Sequence, residues 1–372
     1  VKEGKGHADQ NIWPTDDFHS EEIRLASDTE GQITWLVGAN YFNHEFDTSL
    51  LSVQTSWPDD PELTASSGYL VPIWQRQTKG TFDNYGLFTE ETFKMQENFR
   101  ITAGLRYDKT KLNQSMLYQM NENLTAMGNN LNPPIWTDPP ATFDHDDTYN
   151  NVTYKLRFEY DVTQDNMLYF LTATGFMPGY SALSPDFQMG PTGPYLAGWL
   201  ILQFDQQELT SYEFGTKNTF LGNTLRLNAD LFYYDYEGYP EGYNLRIGGG
   251  PPIFTVMPVP LRVLGLEVDM EYLITMYDKI SLTAGYQDIK ITDYPSAITW
   301  SDGSVTDGSY AAMLDQLPGH PKTKATIGYD HTFTLGDGSI LAPRAELVYT
   351  GGHYLSQMTY LMTDLGEKPY NH

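Results

Sequence analysis

The stretch NTLRLNADLFYYDY, residues 223–236, alternates strictly between two kinds of side chain. One set is Leu225, Leu227, Ala229, Leu231 and Tyr233, and the alternating set is Arg226, Asn228, Asp230, Phe232 and Tyr234. A period of two over this length predicts a β-strand with one apolar and one polar face. Because such a strand is about twice the usual length, its apolar face needs an extensive apolar surface to lie against.

The same pattern recurs along the chain, for example in FRITAGLRYD (99–108) and KTKATIGYD (322–330). About twelve such segments can be recognised, and no amphipathic helix of comparable strength appears. Short turns rich in Gly, Asp and Asn separate pairs of these segments, which predicts hairpins. The turns are at 28–32, 95–98, 163–166, 221–223, 276–279 and 335–338.

Long irregular stretches separate the hairpins, at 47–80, 120–148, 180–207 and 297–320. An alternation of short turns and long loops indicates an up-and-down meander with one trimmed and one elaborated end. A soluble sandwich rarely has such long strands. We therefore predict an all-β fold: an antiparallel up-and-down transmembrane β-barrel with short periplasmic turns and long extracellular loops. The apolar face of 223–236 is expected to lie against lipid.

Composition removes several other classes of protein. The net charge of −26 argues against a nucleic-acid surface. The absence of cysteine excludes disulfides and thiolate chemistry, and the chain has no apolar run long enough for a transmembrane helix. No nucleophile elbow, P-loop or zincin motif is present. We therefore expect no enzyme activity.

Six phrases, taken in order along the chain, are recognisable together. They are SEEIRLAS with ITWLVGANYF (20–42), YGLFTEETFKMQENFRITAGLRYD (85–108), LYFLTATGFMPGYS (168–181), ELTSYEFGTKNTFLGNTLRLNADLFYYDYEGY (208–239), VLGLEVDMEYLITMYDKISLTAGYQDIKITDYP (263–295) and LPGHPKTKATIGYDHTF (317–333). This order resembles the barrel of TonB-dependent outer-membrane receptors, of the kind that take up siderophores. In the third phrase Met177 stands where that family commonly has a basic residue.

The resemblance implies a 22-stranded barrel around an N-terminal plug domain in the outer membrane of a Gram-negative cell. Such receptors take up scarce ligands, typically ferric siderophores, with energy from the TonB complex. The implied partners are outer-membrane lipid and lipopolysaccharide, the plug, the TonB complex and a small-molecule ligand. No plug or energy-coupling box precedes residue 20, and no closing strands end the chain. We therefore expect residues 1–372 to be the middle and later part of the barrel domain of a longer protein.

Two other functions stay open. One is a passive porin-like or structural outer-membrane barrel that acts as a partner in a surface assembly. The other is a secreted, soluble all-β binding protein, which solubility without detergent would favour. A plug domain in the complete protein would separate active uptake from the passive barrel.

Aromatic residues of the long loops are the candidates for ligand contact, because ligand pockets are mostly apolar with few polar anchors. Packing of one loop against another is an equally good interpretation of each residue. The candidates are Trp57, Trp74, Trp136, Tyr180, Tyr195, Trp199 and Trp300.

Charged residues on the polar strand faces are predicted to face the barrel lumen. There they would pair with acidic residues such as Glu159 and Asp161 and with a plug; guiding an anionic ligand is the alternative. The basic residues are Arg100, Arg106, Arg157, Arg226, Lys322, Lys324 and Arg344.

The segment FDHDDTYNN (143–151) concentrates three carboxylates, Asp144, Asp146 and Asp147. Oxygen ligands at this density could hold Ca²⁺. Because the segment lacks the EF-hand pattern, a solvated acidic loop is the other interpretation. We expect no other cofactor.

Overall fold

The structure is a computed structural model, and it describes residues 8–28, 30–55, 70–120, 140–190, 193–246, 252–293, 297–299, 305–307, 317 and 319–353. Within these residues no helix is long and apolar enough to cross a membrane.

Twelve antiparallel strands form one sheet. With all strands numbered in chain order, they are β1 (Ala8–Ala26), β2 (Ile33–Thr55), β3 (Leu70–Gln96), β4 (Phe99–Met120), β5 (Ala141–Thr163), β6 (Asn166–Met177), β9 (Gln207–Phe220), β10 (Leu225–Arg246), β11 (Pro252–Leu273), β12 (Asp278–Ile291), β15 (Thr323–His331) and β18 (Arg344–Thr350). Each pairs with its neighbours in sequence order, and β1 and β18 are the edges. The all-β, up-and-down prediction is confirmed.

In the part of the chain that the structure describes, three hairpins lie outside this sheet. They are β7 (Tyr180–Gly190) with β8 (Gly193–Phe204), β13 (Ala297–Thr299) with β14 (Val305–Asp307), and β16 (Phe333–Thr334) with β17 (Ile340–Leu341). Each of the six predicted turns lies between two paired strands. At 221–223 three consecutive residues have positive φ: Leu221, Gly222 and Asn223. Glycine and asparagine tolerate that conformation, which explains Gly222 and Asn223, whereas Leu221 adopts it against the usual preference of a bulky side chain.

The predicted long loops are shorter than expected. β2 continues to Thr55, β3 begins at Leu70, and β5 begins at Ala141. Residues 180–207 contain the β7–β8 hairpin. The prediction relied on apolar alternation, but a backbone ladder needs only a paired neighbour, so strands continue where that alternation ends.

The two faces of the sheet differ. We call the face that carries Leu105, Leu231 and Leu266 the outer face, and the face that carries Arg100 and Glu267 the inner face. Register keeps each set together, since Leu231 lies opposite both Phe214 and Leu266. Leu105 and Leu231 expose 57% and 50% of their surface, as expected of side chains whose neighbour is not protein.

Each strand also has two halves. We call the half next to the short connections the turn side and the half next to the long connections the loop side. On the turn side, aromatic residues of the outer face form two bands. One band contains Trp35, Tyr160, Phe220 and Tyr329, and the other contains Tyr41, Tyr85, Tyr107, Tyr212, Tyr233 and Tyr286.

The two bands are a membrane's apolar thickness apart. Phe99, opposite Tyr160, precedes Tyr107 by eight residues, which is about 27 Å along a strand. With a tilt of about 40°, the height is about 20 Å, close to the apolar band of about 25 Å in outer-membrane barrels.

On the loop side the two faces exchange character. The outer face becomes charged and exposed, with Asp17, Glu45, Lys79, Lys111 and Asp144 among its residues. The inner face becomes apolar. Its buried residues include Leu112, Met116, Tyr118, Val259, Leu261 and Val263. The core of the molecule therefore lies on the inner, loop side of the sheet.

Candidate functional site

The turn-side inner face is a network of ion pairs. Arg100 donates to Asp161, with Nη2 2.9 Å from Oδ1, and its Nε is 3.5 Å from Glu159. Arg157 reaches the same Glu159 at 3.4 Å. These side chains are a quarter or less exposed, except Arg157 at 35% and Asp161 at 27%, so the pairs neutralise charge on a wall that is partly withdrawn from water.

The other predicted lumen-facing residues mostly have partners as well. Arg106 donates to Asp108 and Asn40, Arg226 lies 3.3 Å from both Asp269 and Glu271, and Arg344 bridges Asp330 and Glu346. Lys322 donates to Asp288 at 2.7 Å, and this hydrogen bond lowers the pKa of Asp288. Lys324 lines the inner-face cavity described next. Six of the seven basic side chains are thus held by carboxylates.

A cavity of about 520 Å³ lies on the inner face of β10, β11, β12 and β15. Asp230 and Glu267 line it and lie directly opposite each other in the ladder. Like charges directly opposite are unfavourable. Asn228, Thr283 and Lys324 complete a hydrophilic lining, so this part of the wall suits water and polar solutes.

On the loop side of that cavity, the inner face is lined by aromatic and aliphatic side chains. Phe232, Leu261, Val263, Ile289 and Leu317 form a buried cluster. Against it pack Tyr234, Tyr236, Tyr239 and Ile291. Burial raises the pKa of Tyr239, so its hydroxyl stays protonated and can donate a hydrogen bond.

A second aromatic surface lies on the inner face of β1, β2 and β3. Phe18 stacks on His44 with ring centroids 4.3 Å apart, and His44 Nε2 is 2.8 Å from Asp16 Oδ1. Phe42 lies between Phe18 and Phe82, at 6.2 Å and 6.0 Å. Together the two surfaces give the loop-side interior the apolar, aromatic lining typical of ligand sites, with a few polar groups.

Several inner-face rings lie flat over glycines of the neighbouring strand. Phe232 lies opposite Gly265, and a Cβ at that glycine would be 2.1 Å from the ring. Tyr169 covers Gly215 in the same way, at 2.4 Å. Because glycine leaves room beside the backbone, these rings follow the wall instead of projecting from it.

The β7–β8 hairpin lies over this interior. Its strand β7 comes within 8 Å, between Cα atoms, of both β4 and β11. At its base Tyr180 stacks on Phe204 with centroids 4.6 Å apart, and Ser181 is 2% exposed. Burial and a hydrogen bond with Asp147 raise the pKa of the neighbouring Tyr149 to about 12.

The predicted ligand-contacting aromatics are placed unevenly. Tyr180 is at the base of the hairpin, and Tyr195 and Trp199 lie on β8. Trp74 lies on β3. Trp57, Trp136 and Trp300 fall outside the described residues. Ligand contact by this set stays a prediction.

The three candidate Ca²⁺ ligands are on β5, so their placement in a loop was wrong. Alternation puts Asp144 and Asp146 on the outer face, in a cavity of about 610 Å³, while Asp147 contacts Tyr149 on the inner face. The three carboxylates therefore do not converge. No group of three or more His, Asp or Glu side chains among the described residues is arranged to hold a metal ion. Calcium binding itself stays a prediction.

Among the described residues, several buried polar groups were missed from the sequence, including the following three. Gln114 Oε1, His145 Nε2 and Ser181 Oγ are buried without a hydrogen-bond partner, and Gln114 lies opposite His145 in the ladder. Nothing in the sequence marks them. The aromatic wall did leave a signal, because the polar set of 223–236 ends in Phe232 and Tyr234.

The chain matches the family model described as TonB dependent receptor-like, beta-barrel, over residues 4–369. This chain belongs to that family of outer-membrane receptors and transporters, and the resemblance seen in the sequence is confirmed.

Solved structures share the fold at low sequence identity. The ferric yersiniabactin uptake receptor FyuA from Yersinia pestis matches with a TM-score of 0.64 and 16% identity, over 94% of this chain and 45% of that one. The siderophore receptor PiuA from Acinetobacter baumannii gives 0.60 and 19%, over 92% and 47%. The ferric-catecholate import receptor Fiu from K12 E. coli gives 0.58 and 18%, over 91% and 45%. The chain thus spans less than half the length of these receptors.

Proposed function

We propose that this chain forms part of the wall of a receptor in the outer membrane of a Gram-negative cell. The receptor takes up an iron chelate with energy delivered by the TonB complex. In this proposal the sheet is completed by further strands of a longer chain, and a plug domain of that chain fills the interior. The ligand approaches from the loop side.

The observation that carries the proposal is the turn-side outer face. Leucines there are about half exposed, and aromatic bands border them on both sides. An apolar surface of this extent is costly in water but stable against lipid chains. Tyr and Trp favour the depth of the membrane interface. The ion-paired inner face has the opposite character, as the water-filled side of a barrel requires.

The chemistry of the interior supports uptake of a bulky organic chelate. Aromatic side chains line the loop-side inner face at two places. One is on β1, β2 and β3 and includes Phe42, and the other is the cluster around Phe232, which includes Tyr236. The three similar receptors carry ferric yersiniabactin, siderophore and ferric-catecholate in their names. Flat rings of this kind suit contact with an aromatic or heterocyclic chelator.

Uptake of radioactive iron tests the proposal. The gene is deleted from its host, the cells are depleted of iron, and iron is supplied as the chelates that the host itself secretes. We expect deletion to lower uptake and the restored gene to recover it. A protonophore should abolish the restored uptake, because TonB energy comes from the proton gradient. Uptake that resists the protonophore would instead favour the passive barrel.

Paired variants then connect uptake to the interior. Tyr236→Ala removes a ring from the loop-side inner face, and Tyr233→Ala removes one from the outer face of the same strand. The first should reduce uptake several-fold at limiting iron, whereas the second should leave it unchanged. Equal effects would show that the interior rings do not contact the ligand.

A further inference from the structure

We propose that the β7–β8 hairpin is a strap across the loop-side opening of the interior, and that it limits the size of the solutes that pass. This role rests on the proposed uptake function. It concerns which ligands fit, and its test does not depend on iron.

The first argument is the path of the chain. β6 pairs directly with β9, so the segment between them leaves the sheet. β7 nevertheless approaches β4, two strands away on one side of β6, and β11, three strands away on the other. Because β7 is one short strand that approaches both β4 and β11, it must cross the face of the sheet.

The second argument is length. From β4 to β11 the order is β4, β5, β6, β9, β10, β11, which makes five strand spacings, or about 24 Å. β7 has 11 residues and is therefore about 36 Å long. The hairpin is long enough to reach from one of these strands to the other.

The third argument is the face that it covers. Among the described loop-side residues of β4 and β11, the buried ones lie on the inner faces. Met116 is 3% exposed and Leu261 is 2% exposed. The preceding residue of β4, Ser115, points outward and is exposed. β7 approaches both strands on this side of the sheet, and at Leu261 the cluster with Phe232 and Leu317 contributes to the same burial.

The fourth argument is the anchoring of the base. A Cβ at Gly179 would lie 2.1 Å from the carbonyl oxygen of Phe204 and 2.6 Å from the hydroxyl of Tyr149. Tyr149 belongs to the inner face of β5, so the base of the hairpin is pressed against the wall. Only glycine allows so close an approach. The stack of Tyr180 on Phe204 holds the two strands together at the same place.

The test uses single cysteines, since residues 1–372 contain none; any cysteine elsewhere in the longer chain is first replaced by serine. Three reporters on β4 are compared in intact cells with a small charged maleimide: Met116→Cys under the strap, Ser115→Cys on the outer face, and Thr102→Cys, which is buried near the turns. The strap is shortened by replacing residues 183–201 with Asn-Gly, which joins the register partners Ala182 and Leu202 by a two-residue turn. A matched control shortens the β13–β14 hairpin by replacing 298–306 with Asn-Gly.

We expect Met116→Cys to react slowly in the native chain and about tenfold faster or more once the strap is shortened, because a buried group reacts only when its cover is removed. Ser115→Cys should react and Thr102→Cys should stay silent in every background, and the control deletion should change nothing. A Met116→Cys that reacts freely at the outset, or stays silent after shortening, overturns the strap. If Thr102→Cys becomes reactive after shortening, the shortened chain has lost its fold. The Gly179→Ala variant, which disturbs the base of the strap, then replaces the shortened chain in the same comparison of the three reporters.

Size selection is measured separately with Met116→Cys, on the loop side, because a plug in the interior would shield a deeper reporter such as Asn228→Cys whether or not the strap is present. The rate with a large polyethylene-glycol maleimide is divided by the rate with a small one. This ratio should rise when the strap is shortened and stay constant in the control. An unchanged ratio would remove the size-limiting role even if iron uptake through the receptor were established.

Discussion

The turn-side and loop-side halves of the same strands have opposite architectures. On β4, Leu105 of the turn side points outward and is 57% exposed, whereas Met116 of the loop side points inward and is buried. On β10, the inner face changes from Asp230 to Phe232 within two residues. The backbone ladder runs through this change without interruption. One set of hydrogen bonds therefore serves two different arrangements of side chains.

The difference reflects the surroundings of each half. Where lipid lies outside, apolar residues face outward and charged residues pair within. Where water lies outside, the usual order of soluble proteins returns, with charge outside and apolar residues inside. In the proposed receptor, the position of each exchange along a strand would mark the outer boundary of the membrane.

The largest expected effect is on the loop-side core. Leu261→Ala leaves a cavity beside Val263 and Phe232 and should lower the free energy of unfolding by about 2–5 kcal/mol. Leu264→Ala, on the outer face of the same strand, is the matched control and should cost clearly less, since that side chain is 49% exposed. Urea unfolding in lipid vesicles measures both. Equal costs would show that the loop side has no core of its own.

A charge in the lipid-facing band is the next largest change. Ala103→Arg, midway between Phe99 and Tyr107 on the outer face of β4, should cost about 2–4 kcal/mol, and the cost should fall toward the borders of the band. Asn113→Arg lies on the same face of the same strand but beyond Tyr107, and it should be almost neutral. The amount of folded protein in outer membranes and unfolding in vesicles are the measurements. If Asn113→Arg were the more harmful change, the membrane boundary would be misplaced.

The junction of the two halves can be tested at Gly265. A methyl group there would lie 2.1 Å from the Phe232 ring, so Gly265→Ala should cost about 1–3 kcal/mol by overpacking. Gly175→Ala has open space around it and serves as the control. Adding Phe232→Leu to Gly265→Ala should recover part of the loss, as thermal unfolding would show. Without such recovery, the ring and the glycine are not coupled.

The smallest effect is a pH dependence at the turns. Asp278 accepts hydrogen bonds from Thr275, Tyr329 and His331, which lower its pKa to about 2. Because the folded pKa lies below the unfolded one, the stabilisation is complete above about pH 4. It is lost as the pH falls toward 2. Asp278→Asn should therefore flatten this part of the acid-unfolding curve, while Asp337→Asn, in an isolated turn, should alter it less.

The sequence predicted the two strand faces of the turn side well, because a strand that faces lipid needs apolar residues on one face and polar residues on the other. Alternation in 99–108 and 223–236 identified both faces, and the ladder confirmed them. The loop side was harder to predict. There the outer residues are polar and the inner ones mixed, so alternation no longer separates strand from loop, and β3 and β5 were predicted to begin too late.

The site was predicted less completely than the fold. The charged residues of the inner face follow from the strand period, so Arg100 and Arg226 could be assigned. The burial of Met116 and the position of Ser181 depend on a hairpin that packs against distant strands. Contacts between β7 and β11 join residues far apart in sequence, and no local pattern encodes them. The inner-face position of Asp147 could not be predicted either, because strand alternation assigns it only once β5 is known to include this residue.

The height of the wall has a consequence for how the protein meets its surroundings. From Tyr85 back to Leu70, β3 continues for fifteen residues beyond the upper aromatic band, or about 50 Å along the strand. With a tilt of about 40° this corresponds to roughly 40 Å of vertical rise. The rim therefore stands clear of the lipid headgroups by more than the thickness of the membrane's apolar layer. In the proposed receptor, a particle that approached from the loop side would therefore meet the charged outer face of this half before it reached the bilayer.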